Sequence, residues 1–93
     1  MLTQEQVTLV IPSSNNLRHL KNAYTSIKTH APNCKMVMLD DGSTDGTTEW
    51  LAAISDENIT AVYRSDKRVG HTILYDKGIE LAETEVAGIM HAD

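Results

Sequence analysis

Asp40 and Asp41 stand side by side, directly after an apolar run and directly before Gly42 and Ser43. Adjacent carboxylates repel each other unless something positive or hydrogen-donating approaches them. The pair therefore suits accepting a ring N–H or a ribose hydroxyl from a ligand, with Gly42 allowing close backbone approach. Asp-Asp-Gly-Ser is also ordinary turn chemistry, and both readings are open at this level. A second cluster is His91-Ala92-Asp93. Residues two apart in an extended segment share a side, so His91 and Asp93 could ligate one divalent cation. Asp93 would be the hard oxygen ligand, and an imidazole favours manganese over magnesium. A solvated acid and a surface histidine are the plain alternatives. Lys67 and Arg68 could neutralise a phosphate or simply line a solvated loop. His19 and His30 read as surface residues, His71 as the opening of a helix, and Cys34 as structural.

Several chemistries are excluded by what is missing. No G-x-x-x-x-G-K-[ST] phosphate loop is present, and the stretch from Gly42 to Gly46 has no lysine. No G-x-G-x-x-G follows the first apolar run, no cysteine–histidine spacing suggests structural zinc, and no G-x-S-x-G elbow occurs. A phospho-accepting receiver domain would carry its acidic pair after the first strand, whereas here it follows the second.

The elements that must hold these clusters can be read from the apolar pattern. Residues 7–12 (VTLVIP) form a nearly unbroken β-branched run, as expected of a strand covered on both faces. Leu17, Leu20, Tyr24 and Ile27 recur at helical spacing, with Asn15 or Asn16 suited to cap the helix and Pro32 to end it. Residues 35–39 read as a second strand, and residues 59–63 as a third. Trp50, Leu51 and Ile54 mark a helix between them, which Thr44 or Asp45 could cap. Ile73, Leu74, Leu81 and Ala82 mark a further helix before a fourth strand at residues 86–90. The order β-α-β-α-β-α-β predicts an α/β fold: a Rossmann-like, open, mostly parallel sheet with right-handed crossovers. Such sheets bind ligands at the carboxyl ends of their strands. Residues 12–15, 40–43, 67–70 and 91–93 all fall at such ends.

Size and charge bound what the fold can do. The 93 residues make one domain. With no Phe, and only Trp50, Tyr24, Tyr63 and Tyr75 as aromatic residues, its core must be aliphatic. A net charge of −5 argues against a sequence-independent grip on nucleic acid. The single cysteine rules out an intramolecular disulfide, so a reducing compartment is expected. The first residues do not resemble a signal peptide. No apolar run approaches the roughly 20 residues needed to span a bilayer, so no transmembrane segment is expected.

Taken together, the segments resemble the N-terminal, nucleotide-binding half of a family 2 glycosyltransferase with the GT-A fold. Val7-Thr8-Leu9-Val10-Ile11-Pro12-Ser13-Ser14-Asn15 is similar to the family's V-S-V-V-I-P-T-Y-N opening. The stretch Met38-Leu39-Asp40-Asp41-Gly42-Ser43-Thr44-Asp45-Gly46-Thr47 is similar to V-V-D-D-G-S-T-D-G-T. Val69-Gly70 and Lys77-Gly78-Ile79-Glu80-Leu81-Ala82 resemble the family's L-G and N-x-G-I-E-L-A. Four positions depart from the pattern. His91 stands where the metal motif D-x-D begins, Ser14 replaces a tyrosine, and Tyr75-Asp76 replaces Arg-Asn.

The resemblance implies that residues 1–93 are the nucleotide-sugar-binding part of a partial GT-A domain that lacks the acceptor half. Pro12, Ser13 and Asn15 would line the nucleotide pocket. Asp41, supported by Asp40, would read the base and ribose, and Arg68 would approach the base or phosphates. Asp93 with His91 would bind a divalent metal, Mn or Mg, bridging the donor diphosphate. The implied reaction is inverting transfer from a nucleotide-diphosphate sugar to a saccharide or lipid-linked acceptor hydroxyl. The catalytic base would lie beyond Asp93, so this chain alone is expected to bind nucleotide weakly and to turn nothing over. A non-catalytic nucleotide-sugar-binding or assembly module is the alternative. A sugar-nucleotide pyrophosphorylase fits less well, because Ser13 to Asn16 holds neither glycine nor lysine. The implied location is cytoplasmic, with the full enzyme peripheral to the inner face of the membrane. The fourth strand is expected to expose apolar surface and drive self-association.

Overall fold

The structure, a computed structural model, describes residues 3–67, 69–84 and 86–89. A short 3-10 turn (Gln4–Gln6) leads into strand β1 (Val7–Ser13), followed by helix α1 (Leu17–His30) and strand β2 (Lys35–Asp41). Helix α2 (Thr47–Ala53), strand β3 (Ile59–Ser65), helix α3 (His71–Leu81) and strand β4 (Val86–Ile89) complete the order. The sheet runs β3-β2-β1-β4, and every pairing is parallel. The chain thus winds outward from β1 to β3, then crosses to the other side of β1 for β4. The strand order therefore reverses between β1 and β4, and it is beyond the carboxyl ends of strands at such a reversal that open α/β sheets bind their ligands.

Alternation along the central strands sends side chains into two separate cores. Ile11, Met36 and Met38 pack with Leu20 and Ile27 of α1 and Leu51 of α2. Val10, Val37 and Leu39 pack on the other face with Leu74 of α3. Both faces of β1 and β2 are therefore covered, which is why their sequences read as unbroken apolar runs. β3 lies at the sheet's edge and alternates half-buried with exposed residues. Tyr24 and Trp50 meet edge to face, ring centres 5.7 Å apart, and join α1 to α2. Helix α3 approaches the sheet closely because Gly78 has no side chain. A Cβ there would run into Val10 Cγ1 and lie 3.0 Å from Leu39 Cδ1. β4 is set beside β1 by two threonines. The Thr84 hydroxyl donates to the Val86 carbonyl at 2.8 Å, so the Thr8 hydroxyl donates to Thr84, 2.6 Å away.

Three expectations from the sequence are corrected. The strands run further than their apolar runs: β2 continues through Asp40 and Asp41, β1 through Ser13, and β3 through Ser65. The acidic pair is therefore strand rather than loop, and its two side chains point to opposite faces of the sheet. Neither Asn15 nor Asn16 caps α1 with its side chain. Asn16 takes the cap position without a cap bond, and the Leu17 N–H donates instead to Asp45 Oδ2, 2.9 Å away. Gly46, in the left-handed region at φ 97, begins α2. Asp45 still serves that helix, as expected, through the Thr47 N–H and hydroxyl at 3.1 and 2.6 Å.

Candidate functional site

The carboxyl ends of β1 and β2 are laced together by their following loops. Ser14 Oγ donates to the Asp41 carbonyl at 3.1 Å, and the Asn15 N–H donates to Ser43 Oγ at 3.0 Å. Asn15 Oδ1 in turn accepts from the Thr44 N–H at 2.7 Å and the Thr44 hydroxyl at 3.3 Å. Asn15 reaches this position with φ 50, a left-handed conformation that asparagine tolerates better than most residues. Asp45 completes the lacing by serving the first turns of both α1 and α2. The Thr47 hydroxyl holds its carboxyl below the usual carboxylate range. Partial burial pushes the other way, and the Leu17 and Thr47 amides add to the lowering.

The two adjacent aspartates are buried, and each has protein partners. Asp40 Oδ1 accepts from the Ser43 N–H at 3.1 Å, and Oδ2 accepts from the Thr48 hydroxyl at 2.6 Å. Arg64 Nε lies 3.6 Å from the same Oδ2 and supplies the nearest positive charge. Asp41 faces the other side of the sheet, where Oδ1 accepts from the Val69 N–H at 2.7 Å and Oδ2 from the Gly70 N–H at 3.1 Å. Asp41 thereby ties the loop before α3 to the end of β2. A carboxylate has about four lone-pair positions, so both side chains keep accepting capacity.

Ser13 completes the strand-end cluster. It lies opposite Asp40 in the β1–β2 register, on the same face of the sheet. The residue is buried at 3% exposure, and its hydroxyl has no hydrogen-bond partner among the described residues. Pro12, also buried, lies opposite Leu39 and turns to the α3 face. The structure thus brings together Pro12, Ser13, Asn15, Asp40 and Asp41. Arg68, His91 and Asp93 lie outside the described residues, and Lys67 is exposed. Among the described residues, no group of three or more His, Cys, Asp or Glu could hold a metal ion. No helix there is long and apolar enough to cross a membrane.

Thr48 and Arg64 were not singled out by the sequence, which carries no local mark for them. The nearest signal is the β2–β3 register, which sets Arg64 opposite Asp40.

The sequence model of the family described as Glycosyl transferase family 2 matches residues 8–93. The chain belongs to glycosyl transferase family 2. A curated relative, the uncharacterized glycosyltransferase MG060 of Mycoplasma genitalium, is 28% identical over 95 residues. That match takes in 95% of this chain and 32% of the relative. Among solved structures, the chain is similar to the mannosyltransferase PcManGT of Pyrobaculum calidifontis, whose structure holds GDP-Man and Mn2+. The TM-score is 0.81 at 21% identity, over 95% of this chain and 27% of that one. The family 2 chain thus spans about a third of the length of its curated relative. Its parallel four-stranded sheet matches part of a GT-A fold.

Proposed function

We propose that this chain forms the donor-binding part of an inverting glycosyltransferase. It would seat a nucleotide-diphosphate sugar at the carboxyl ends of β1 and β2 for transfer to a saccharide or lipid-linked hydroxyl. The observation that carries this reading is the Ser13 hydroxyl, buried at the carboxyl end of β1 beside Asp40 with no hydrogen-bond partner among the described residues. Leaving a buried polar group unpaired costs about 1–3 kcal/mol, so it is retained where a ligand can pair with it. Ser13 would bond the nucleoside, with Pro12 walling the pocket on the opposite face of β1. Asp40 and Asp41 would accept from base or ribose through their remaining lone pairs. Asn15 would keep the two loops in register, and Arg68 would approach the base or phosphates.

The similar mannosyltransferase, solved with GDP-Man and Mn2+, supports a divalent cation, which Asp93 and His91 would hold in this chain. Their mixed oxygen and imidazole donor set suits Mn2+ better than Mg2+. When bound, the cation supplies Lewis-acid stabilisation of the departing diphosphate.

Calorimetric titration with UDP and GDP, with and without Mn2+, tests the reading. Metal-dependent binding is expected. Ser13→Ala should weaken it about tenfold, the worth of roughly 1.4 kcal/mol, without lowering the melting temperature. Absence of binding at millimolar nucleotide would instead favour a non-catalytic assembly module. A Ser13→Ala variant that binds as the wild type does and melts lower would assign the hydroxyl to the fold.

A further inference from the structure

Asp40 is held by a relay that reaches outward to the edge strand. Arg64 Nε, which can only donate, lies 2.9 Å from Thr48 Oγ1. The Thr48 hydroxyl must therefore accept from Arg64, and it directs its own proton to Asp40 Oδ2, 2.6 Å away. Beyond Arg64, its Nη1 donates to Asp66 Oδ1 at 2.6 Å, fixing the guanidinium from the solvent side. Thr48 belongs to α2, whereas Arg64 and Asp66 belong to β3 and the loop that follows it. The donating direction of every bond is set by groups that have no choice. Asp40 Oδ2 is thus pinned on one side and Oδ1 on the other by the Ser43 N–H, 3.1 Å away. The carboxylate plane is fixed beside Ser13, its register partner.

We propose that Thr48, oriented by Arg64, is a positioning residue that aims the Asp40 carboxylate at the nucleoside of the bound donor. This rests on the donor-binding reading and deepens it. The relay would set discrimination in favour of a nucleoside diphosphate over bare diphosphate, because it acts only through a group that meets base or ribose. The Thr48 hydroxyl is the element that matters, since removing it takes the acceptor from Arg64 Nε and the hydroxyl donor from Asp40 Oδ2, and leaves that oxygen only the more distant Nε, 3.6 Å away.

The test is calorimetric titration of wild type, Thr48→Val, Thr48→Ser, Asp40→Asn and the Thr48→Val/Asp40→Asn double variant. Each is titrated with UDP, GDP and inorganic pyrophosphate in the presence of Mn2+. Thr48→Val is expected to weaken nucleoside diphosphate binding about tenfold, the effect of losing one hydrogen bond to a charged group. Pyrophosphate affinity should stay unchanged, and Thr48→Ser should restore the wild-type value. The double variant should bind no more weakly than Asp40→Asn alone, as residues acting through one another are non-additive. Undiminished nucleotide binding by Thr48→Val, an equal fall in pyrophosphate affinity, or additive losses in the double variant would each overturn the positioning role alone. Wild-type protein that binds neither nucleotide would overturn the donor-binding reading and the positioning role with it.

Discussion

Tyr24 and Asp56 show how a single pair of side chains makes the stability of this small fold depend on pH. The Tyr24 hydroxyl donates to Asp56 Oδ2 at 2.7 Å, and that bond, with burial and the carboxylate charge, pushes the phenol up to about 12. The native state therefore holds this proton more tightly than the unfolded chain does. The stability it confers is fully present below pH 10.0 and is lost as pH rises toward about 12. Asp56 acts in the opposite sense. The Tyr24 hydroxyl and the Asn58 amide hold its carboxyl below the usual range, so its contribution is present at neutral pH and fades only in strong acid. Tyr24→Phe should lose about 1 kcal/mol at pH 7 and show a flatter alkaline limb as pH rises from 10.0 to about 12. Denaturant melts at several pH values check both. If the stability of Tyr24→Phe falls as steeply as the wild type's over that window, the alkaline transition belongs to another group.

Among the elements, α3 depends on the sheet most directly, because Gly78 lets it lie against Val10 and Leu39. Gly78→Ala gains about 1 kcal/mol of helix propensity but forces a methyl into stiff, β-branched Val10. Overpacking of this kind costs about 1–3 kcal/mol, so a melting temperature lower by about 5 °C is expected; a rise would show that α3 can lift away at no cost. The sequence made β1, α1 and β2 readable because their burial is local and periodic. It also placed Asp40, Asp41 and Ser13 at strand ends. It did not reveal that β2 continues through both aspartates, since carboxylates look like the start of a loop. Nor did it show that Asp45 rather than Asn16 caps α1, since that bond spans 28 residues. Thr48 and Arg64 escaped notice for the same reason: their ties to Asp40 cross elements. Gly78 was visible as part of a motif, but only the packing shows why a side chain is forbidden there.

Over the whole molecule, β4 lies at one edge of the sheet, with β1 its only partner among the described strands. Its Val86 and Ile89 are 37% and 41% exposed. An apolar edge with free backbone groups invites pairing with another chain. The isolated chain is therefore expected to associate as its concentration rises, and Ile89→Lys should keep it monomeric without lowering its melting temperature. Sedimentation velocity and thermal melts read these in turn, and a wild-type monomer at high concentration would count against the edge as a contact surface. The lacing of the loops after β1 and β2 has a different consequence, one of timing. Ser14, Asn15 and Leu17 each bond a group 27 or 28 residues away, and Val69 and Gly70 hang from Asp41 at similar separations. None of these loops can open without releasing its neighbours, so the carboxyl end of the sheet is expected to breathe as one cooperative unit. Its amides should exchange with solvent together, at a single free energy of opening, rather than fraying one by one.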